Sequence, residues 1–153
     1  MRDITKMPKL KLTCILLFLF SYSCSHNSFN VQVVRHSSEL LKCDKIFADN
    51  LKAIEERNEI LLQTGSIDTT DEQSPITSAI VTIGKNEIAL TLIKATTLNK
   101  ETTERYQGKG YTLTLTYQNN NGQSGKLVYT GKFVIENSRF KKEFEIQGKN
   151  CTL

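Results

Sequence analysis

Hydrophobic residues at helical spacing run through the first half of the chain, and the pattern changes to alternation after residue 75. Those near one helical face are Leu40, Phe47, Leu51, Ile54 and Leu61. Ser37 and Ser38 suit the N-cap of a helix, and Gly65 stands where helices often end in a left-handed residue. A stripe of this kind is typical of an amphipathic helix that packs on its own sheet. The sequence therefore predicts one helix over residues 37–64.

The second half shows the period of two that marks strands with one buried and one solvated face. The alternating runs cover residues 76–83, 88–93, 111–117, 127–135 and 140–146. Turn signals stand between them, among them Gly84-Lys85-Asn86 and Asn121-Gly122. Half-polar strands joined by short turns disfavour a parallel sheet. The pattern predicts a meander of antiparallel strands over residues 76–148.

These elements fit a single domain, as a length of 153 residues also suggests. We expect an α+β domain over residues 37–153. In it, the helix 37–64 covers the apolar face of a curved antiparallel sheet of about five strands. A small closed barrel is the alternative.

The N-terminal segment has the order of a secretory signal. Lys9 and Lys11 precede the apolar run 12–20, and small and polar residues follow it. The run is too short to cross a hydrocarbon core of roughly 30 Å as a stable helix. We therefore predict a signal peptide over residues 1–23. Met1 or Met7 can be its start, since residues 7–23 form a complete signal alone.

The net charge of the chain, +4, comes mainly from this segment. Residues 1–23 carry a net charge of +3, which leaves 16 basic and 15 acidic residues in the rest of the chain. A protein that binds nucleic acid shows a basic stripe, because phosphate neutralisation supplies most of its affinity. No such stripe is visible in this sequence. We therefore expect no nucleic-acid partner.

The end of the predicted signal, Ser21-Tyr22-Ser23-Cys24, resembles the lipobox of bacterial lipoproteins. In that family the cysteine receives a diacylglyceryl thioether, becomes the first residue and is N-acylated. The resemblance implies that Cys24 is the lipidation site, that residues 24–36 form a lipidated tether, and that the partner of the anchor is a membrane. Ser21 stands where the family has leucine, and Tyr22 is bulky. Ser21 and Ser23 also suit an ordinary signal peptidase, so an unlipidated exported protein is the alternative.

Cysteine use is consistent with export. Cys14 leaves with the signal and Cys24 would carry lipid, so Cys43 and Cys151 remain as an even pair. We expect them to form a disulfide that closes a loop of about a hundred residues. Two free thiols are the alternative, since some exported bacterial proteins meet no oxidant.

Catalytic chemistry has few candidate residues. The only histidines are His26 and His36, in or next to the tether, whereas imidazole catalysis needs a rigidly placed ring. With two cysteines they form no recognisable zinc spacing. The carboxylates Glu55-Glu56 and Asp71-Glu72 leave a hydrolase open, although neighbours on a helix point apart. We expect no enzymatic activity, no cofactor and no metal.

Two stretches are candidate binding surfaces. The first is the polar connection 95–109, which is long for a hairpin loop and charged in both signs. Its candidate binding residues are Lys100, Glu104, Arg105, Tyr106 and Lys109. The second is a threonine face formed by Thr112, Thr114, Thr116 and Thr130. A solvated connection and a solvated face are the plainer alternatives.

The lipobox, the Lys- and Asn-rich body and the small domain together resemble, in style, the surface lipoproteins of spirochaetes, particularly the borrelial type. That resemblance implies a place on the outer membrane facing the host, and binding of host proteins without enzymatic activity. Three other hypotheses stay open. They are a periplasmic lipoprotein that assists envelope assembly, a carboxylate hydrolase, and a small-molecule carrier with a hollow barrel.

Overall fold

The computed structural model describes residues 29–35, 38, 41–67, 75–121 and 127–151. Residues 1–28 are outside this part of the chain. The predicted signal peptide, the choice between Met1 and Met7 as the start, the lipidation of Cys24 and residues 24–28 of the predicted tether therefore lie outside the described residues and stay predictions. Residues 29–35 of that tether are described, and Val31–Gln32 form a short strand. His26 and His36 also lie outside the described residues.

The described residues form nine strands and one short helix. In chain order they are β1 (Val31–Gln32), β2 (Lys42–Ala48), α1 (Leu51–Arg57), β3 (Leu62–Ile67), β4 (Ile76–Ile83), β5 (Asn86–Leu98), β6 (Glu101–Gly108), β7 (Tyr111–Asn121), β8 (Leu127–Glu136) and β9 (Lys141–Asn150). Most of the described residues belong to strands, and the one helix has seven residues. The chain is therefore nearly all β in the part that the structure describes.

The strands close into an eight-stranded antiparallel barrel with up-and-down connections. From β2 to β9 each strand pairs with the next in the chain, and β2 pairs with β9 to complete the circle. The short strand β1 adds to β4, where Val31 is opposite Ile83. Closure pairs the backbone groups that would stand free at the edges of an open sheet.

The predicted α+β fold, with a helix over 37–64 on about five strands, is therefore wrong. That segment forms β2, α1 and β3. Its hydrophobic stripe arises because Phe47 and Leu61 pack in the barrel interior while Ile54 packs in a separate cluster around α1. Pairing of β2 with both β3 and β9 satisfies its backbone hydrogen bonds across the sheet and overrides the local helical pattern. The closed barrel that the sequence left as the alternative is the observed arrangement.

The predicted polar connection over 95–109 is also wrong. Strand β5 continues to Leu98, a tight turn follows at Asn99-Lys100, and β6 runs from Glu101 to Gly108. The threonines of this segment are β-branched and suit a strand although they are polar. Asn99 and Lys100 both have positive φ, 50° and 69°, which fits a two-residue hairpin turn of type I′.

Large side chains fill the middle of the barrel. The fully buried ones on its inner face include Phe47, Leu62, Leu90, Tyr106, Leu113, Leu115, Phe133 and Ile135. Burial of each such side chain contributes about 1.5–3 kcal/mol to the free energy of folding. An eight-stranded barrel has an interior just wide enough for side chains of this kind. The core therefore lies inside the barrel rather than between a sheet and a helix.

The helix α1 covers the outside of the barrel. Asn50 caps it by accepting a hydrogen bond from the backbone N–H of Ala53 at 2.9 Å. Ala53 and Ile54 then pack with Ile46 and Ala48, which point outward from β2. Seven residues are too few for a helix to be stable alone, so this contact holds it in place.

The barrel has two distinguishable ends. The helix end carries α1 and the turns Gly84-Lys85, Lys109-Gly110 and Asn137–Phe140. The far end is where β2, β4, β6 and β8 begin and where β3, β5, β7 and β9 finish. The first described residues, Phe29 and Asn30, lie at the helix end, where the Gly84 N–H donates a hydrogen bond to the Asn30 carbonyl oxygen at 2.9 Å.

Candidate functional site: an ion pair among tyrosines at the far end of the barrel

The strand registers place one lysine and one glutamate on the inner face near the far end. Glu104 on β6 is opposite Leu115, which is fully buried inside the barrel. Lys45 on β2 is two residues from the buried Phe47 and therefore shares its face. Directly opposite residues of an antiparallel pair point to the same side. Both charged side chains therefore belong to the interior.

Glu104 is held by two phenol groups. The Tyr106 hydroxyl donates a hydrogen bond to Oε2 at 2.6 Å, and the Tyr117 hydroxyl donates one to Oε1 at 2.9 Å. The Glu104 side chain is only 12% exposed. A carboxylate has enough lone pairs to accept both bonds and still face a cation. The two tyrosines therefore fix the orientation of the carboxylate.

Lys45 supplies the cation. Its Nζ lies 4.0 Å from Glu104 Oε1, and its side chain is 22% exposed. The same ammonium lies 5.5 Å from the ring centre of Tyr117 and 6.0 Å from that of Tyr129. Ammonium groups within about 6 Å of a ring centre are attracted by the negative face of the ring. Lys45 is thus held by one carboxylate and two aromatic rings.

The surroundings of the pair are polar as well. The Tyr129 hydroxyl donates to Asn150 Oδ1 at 2.7 Å. Asn150 and Thr64 are the register neighbours of Lys45 on its two sides. Thr64 is buried, and its hydroxyl has no hydrogen-bond partner among the residues that the structure describes. The far end therefore combines a charged pair with spare hydrogen-bonding capacity at Thr64.

Burial and charge keep these phenols protonated. Desolvation raises the pKa of Tyr106 above its ordinary value, and the negative charge and hydrogen bond of Glu104 raise it further. The same causes, in the same order, raise the pKa of Tyr117. Burial and then Glu104 also raise the pKa of Tyr129, while its bond to Asn150 acts in the opposite direction. All three tyrosines are consequently neutral donors at physiological pH.

Two glycines near the aromatic rings allow close contacts: a Cβ on Gly148 would meet the Phe47 ring, and a Cβ on Gly131 would meet the backbone of Thr116 and Tyr117. Gly131 on β8 is opposite Tyr117, and Gly148 on β9 is opposite both Phe47 and Tyr129. A Cβ on Gly131 would come within 2.7 Å of the Tyr117 Cα, closer than such atoms approach in real structures. The close approach explains why glycine stands at this inward position.

The predicted binding residues are split between different parts of the barrel. Glu104 and Tyr106 point inward and contact each other. Arg105 is exposed on the outer face between them, and Lys100 is at the tip of the β5–β6 turn. Lys109 is in the β6–β7 turn at the opposite end. The structure therefore brings together only two of the five in one site.

Sequence reasoning missed Lys45, Tyr117, Tyr129 and Asn150 as members of this site. The period of two over residues 111–117 predicts a strand with Tyr117 on one of its faces, and nothing local pairs this tyrosine with a charge. The signal for Lys45 is its parity with Phe47, which becomes informative only when residues 42–48 are recognised as a strand. The contacts of the site join β2, β6, β7, β8 and β9, which are distant in sequence.

The structure joins Cys43 and Cys151 by a disulfide, with their Cα atoms 5.9 Å apart. That separation is within the usual range for a disulfide. Cys43 is in β2 and Cys151 directly follows β9, so the bridge spans the pair of strands that closes the barrel. Both side chains pack on the outside with the cluster around α1.

The threonine face lies on the outside of the barrel. The hydroxyls of Thr103 and Thr116 are 3.4 Å apart, and the Asn120 side chain donates to the Thr130 hydroxyl at 2.6 Å. These contacts link neighbouring strands across the outer surface.

Comparison with protein-family models, with curated proteins and with solved structures finds no match to this chain. Among the described residues no helix is long and apolar enough to cross a membrane. Within the same residues no three His, Cys, Asp or Glu side chains are grouped so that they could hold a metal ion. The fold and the far-end site define a small closed antiparallel barrel with a polar, tyrosine-lined interior at one end.

Proposed function

We propose that the chain is an exported, lipid-anchored binding protein without enzymatic activity, and that the far end of the barrel is its binding surface. The observation that carries the proposal is the Lys45–Glu104 pair, placed with three tyrosines inside a barrel whose middle is filled mainly with apolar side chains. Its ligand is a host or envelope protein, in keeping with the resemblance to surface lipoproteins.

The cost of the pair favours a functional role. Moving two charges out of water is expensive, and packed hydrophobic residues of similar volume are often as stabilising or more so. The same volume could be filled by residues such as those deeper in the barrel, for instance Leu115 or Phe133. A charged pair at the end of a rigid barrel instead offers directional contacts, which give specificity in binding.

The filled core places the ligand at the end of the barrel rather than within it. Phe47, Tyr106 and Phe133 are fully buried in the middle. A carrier with a hollow barrel would need that space for its ligand. The proposal therefore assigns binding to surface groups of the far end, among them Lys45, whose side chain is 22% exposed.

The cellular location that we propose follows from the predicted signal peptide and lipobox. We propose that Cys24 carries the lipid and that the domain is displayed on the outer membrane. A periplasmic lipoprotein that assists envelope assembly is the second candidate, since the same anchor serves both. Protease added to intact cells separates them: digestion of the domain is expected, and full protection would favour the periplasmic candidate.

The binding surface is tested with two double variants of the lipidated protein. Lys45→Met with Glu104→Gln changes the far-end pair. Lys132→Met with Glu143→Gln changes an exposed ion pair of 3.4 Å on the outer surface and serves as the control. We expect the first to lower binding to immobilised host serum and matrix proteins by about tenfold or more, as for a central contact, and the control to bind as the parent does. Equal binding by both would exclude the far end as the binding surface.

A further inference from the structure

The N-terminal segment leaves the barrel among the turns of the helix end. Phe29 stacks on Tyr111 with ring centres 5.9 Å apart and on Phe140 with ring centres 5.6 Å apart. The Asn30 carbonyl oxygen accepts a hydrogen bond from the Gly84 N–H. Val31 then packs in the barrel core and pairs with Ile83. The point at which the chain departs toward Cys24 is therefore fixed.

The tether to the predicted lipid site is short. Four residues lie between Cys24 and Phe29, which makes five steps along the chain. An extended chain spans at most about 3.6 Å per step, or about 18 Å in all. Strand β8 has ten residues, so the barrel is about 25 Å high for strands tilted by about 40°. With the far end against the membrane, Phe29 would be farther from the surface than the tether can reach. The helix end must therefore be the nearer one.

The turns around Phe29 have the composition of a membrane-contacting surface. The residues between the strands at these three turns, 84–85, 109–110 and 137–140, include three basic residues and no acidic one. The basic residues are Lys85, Lys109 and Arg139, and all three are exposed. Phe140 beside them is 40% exposed. The acidic residues of this end lie outside the turns: Glu87 and Glu136 are in the adjoining strands, where Glu136 pairs with Lys141 at 3.6 Å, and Asp49, Glu55, Glu56 and Glu59 are in or next to α1, which covers the outside of β2.

We propose that these three turns rest on the anionic phospholipid surface of the membrane, with Phe140 at the interface and the far end directed away from it. The inference rests on the proposed lipid anchor at Cys24. Basic residues close to an anionic surface are attracted to it, and an added electrostatic contact strengthens anchoring by acyl chains. This orientation presents the Lys45–Glu104 site to partners in solution.

Lysine acetylation, read by mass spectrometry, tests the orientation on the lipidated protein itself. The protein is purified from its own cells and placed in vesicles of phosphatidylcholine with phosphatidylglycerol, or of phosphatidylcholine alone. We expect Lys85 and Lys109 to be acetylated severalfold more slowly in the anionic vesicles. Lys94 and Lys100, on the far half of the β5–β6 hairpin, should react equally in both. Protection at Lys100, or none at Lys85 and Lys109, would overturn the proposal.

A matched pair of variants separates charge from proximity. Lys109 and Lys100 are both exposed and both occupy hairpin turns with positive φ, 47° and 69°. Lys109→Glu should restore acetylation of Lys85 in anionic vesicles, because it removes one of three cations and adds a repulsive charge. Lys100→Glu should leave the protection of Lys85 unchanged. If both variants lost the protection of Lys85 from acetylation to the same extent, the contact would not be specific to the helix end.

Intact mass distinguishes failure of this inference from failure of the proposed anchor. Acyl chains on Cys24 without protection of the helix end would overturn the orientation and leave the anchor in place. A mass without acyl chains would instead remove the anchor. The acetylation pattern of that unacylated protein on anionic vesicles would then decide the contact, with protection of Lys85 and Lys109 supporting it and equal reactivity excluding it.

Discussion

Glu104 is stabilised by contacts of two kinds, hydrogen bonds from two phenols and the charge of Lys45. Glu104→Gln keeps an oxygen that can accept a hydrogen bond but removes the charge that faces the ammonium. Because Lys45 is partly exposed, water compensates for some of the loss. We expect the free energy of unfolding to fall by about 1–2 kcal/mol, measured by urea denaturation. Glu143→Gln, in an exposed pair, should cost less than about 0.5 kcal/mol. Equal losses would show that burial of the pair is unimportant.

The buried tyrosines make stability depend on pH at the alkaline side. The pKa values of Tyr106 and Tyr117 in the folded protein are raised above 10.0, the ordinary value that the unfolded chain has. Above pH 10 the unfolded state therefore binds fewer protons than the folded state, so the free energy of unfolding falls as the pH rises. Below pH 10 this contribution is fully present. Urea denaturation at a series of pH values should show the decline, and Tyr106→Phe should make it shallower. Ionisation of these phenols near pH 10 without unfolding would contradict the prediction.

At the scale of the elements, hairpin turns determine where the strands reverse. The β5–β6 turn places Lys100 at a φ of 69°, a conformation that costs a residue with a side chain about 1–2 kcal/mol. Lys100→Gly should raise the free energy of unfolding by about 0.5–1 kcal/mol, because glycine adopts this conformation freely but loses more chain entropy on folding. Thermal unfolding measures the change. Lys94→Gly, within β5, should destabilise instead, and a gain at both positions would refute the argument from φ.

The segment that was predicted as one helix shows how elements depend on their partners. Residues 42–48 form a strand because they pair with strands on both sides. Only α1 of the predicted helix forms, and it is stabilised by the Asn50 cap and by packing against the outer face of β2. Gly65 suits a helix end by its sequence position, but it lies in β3, where a Cβ would collide with the backbone of Lys42. A glycine is therefore needed at this position because β2 and β3 approach each other closely, and not because a helix ends there.

At the scale of the whole molecule, the Cys43–Cys151 bridge connects the first and last strands of the barrel across 108 positions of sequence. A crosslink that closes so long a loop restricts the unfolded chain, and its loss typically costs about 2–5 kcal/mol. We expect reductant to lower the free energy of unfolding of the native protein by that amount. Reductant should not change the free energy of unfolding of a double variant with Cys43→Ser and Cys151→Ser. Alkylation of both cysteines before reduction would show that they are free thiols.

The sequence by itself determined the parts of this protein that depend on local pattern. The five alternating runs coincide with β4, β5, β7, β8 and β9, and the turns at Gly84-Lys85 and after residue 136 fall where the glycine and asparagine signals stand. Each of these strands is antiparallel to its neighbours and pairs with the next strand in the chain, but β6, which the pattern did not predict, separates β5 from β7. A period of two and a turn residue are properties of a few neighbouring positions, so one sequence carries them.

Only the tertiary structure decided closure and the site. The contact of β2 with β9 joins positions about a hundred residues apart, and no local pattern records it. Because closure makes 42–48 a strand, it also turns Lys45 inward to meet Glu104, which the sequence pattern places in a polar connection as a candidate binding residue. Whether a polar residue faces solvent or the interior depends on the strand register, and the register is set by pairing across the sheet.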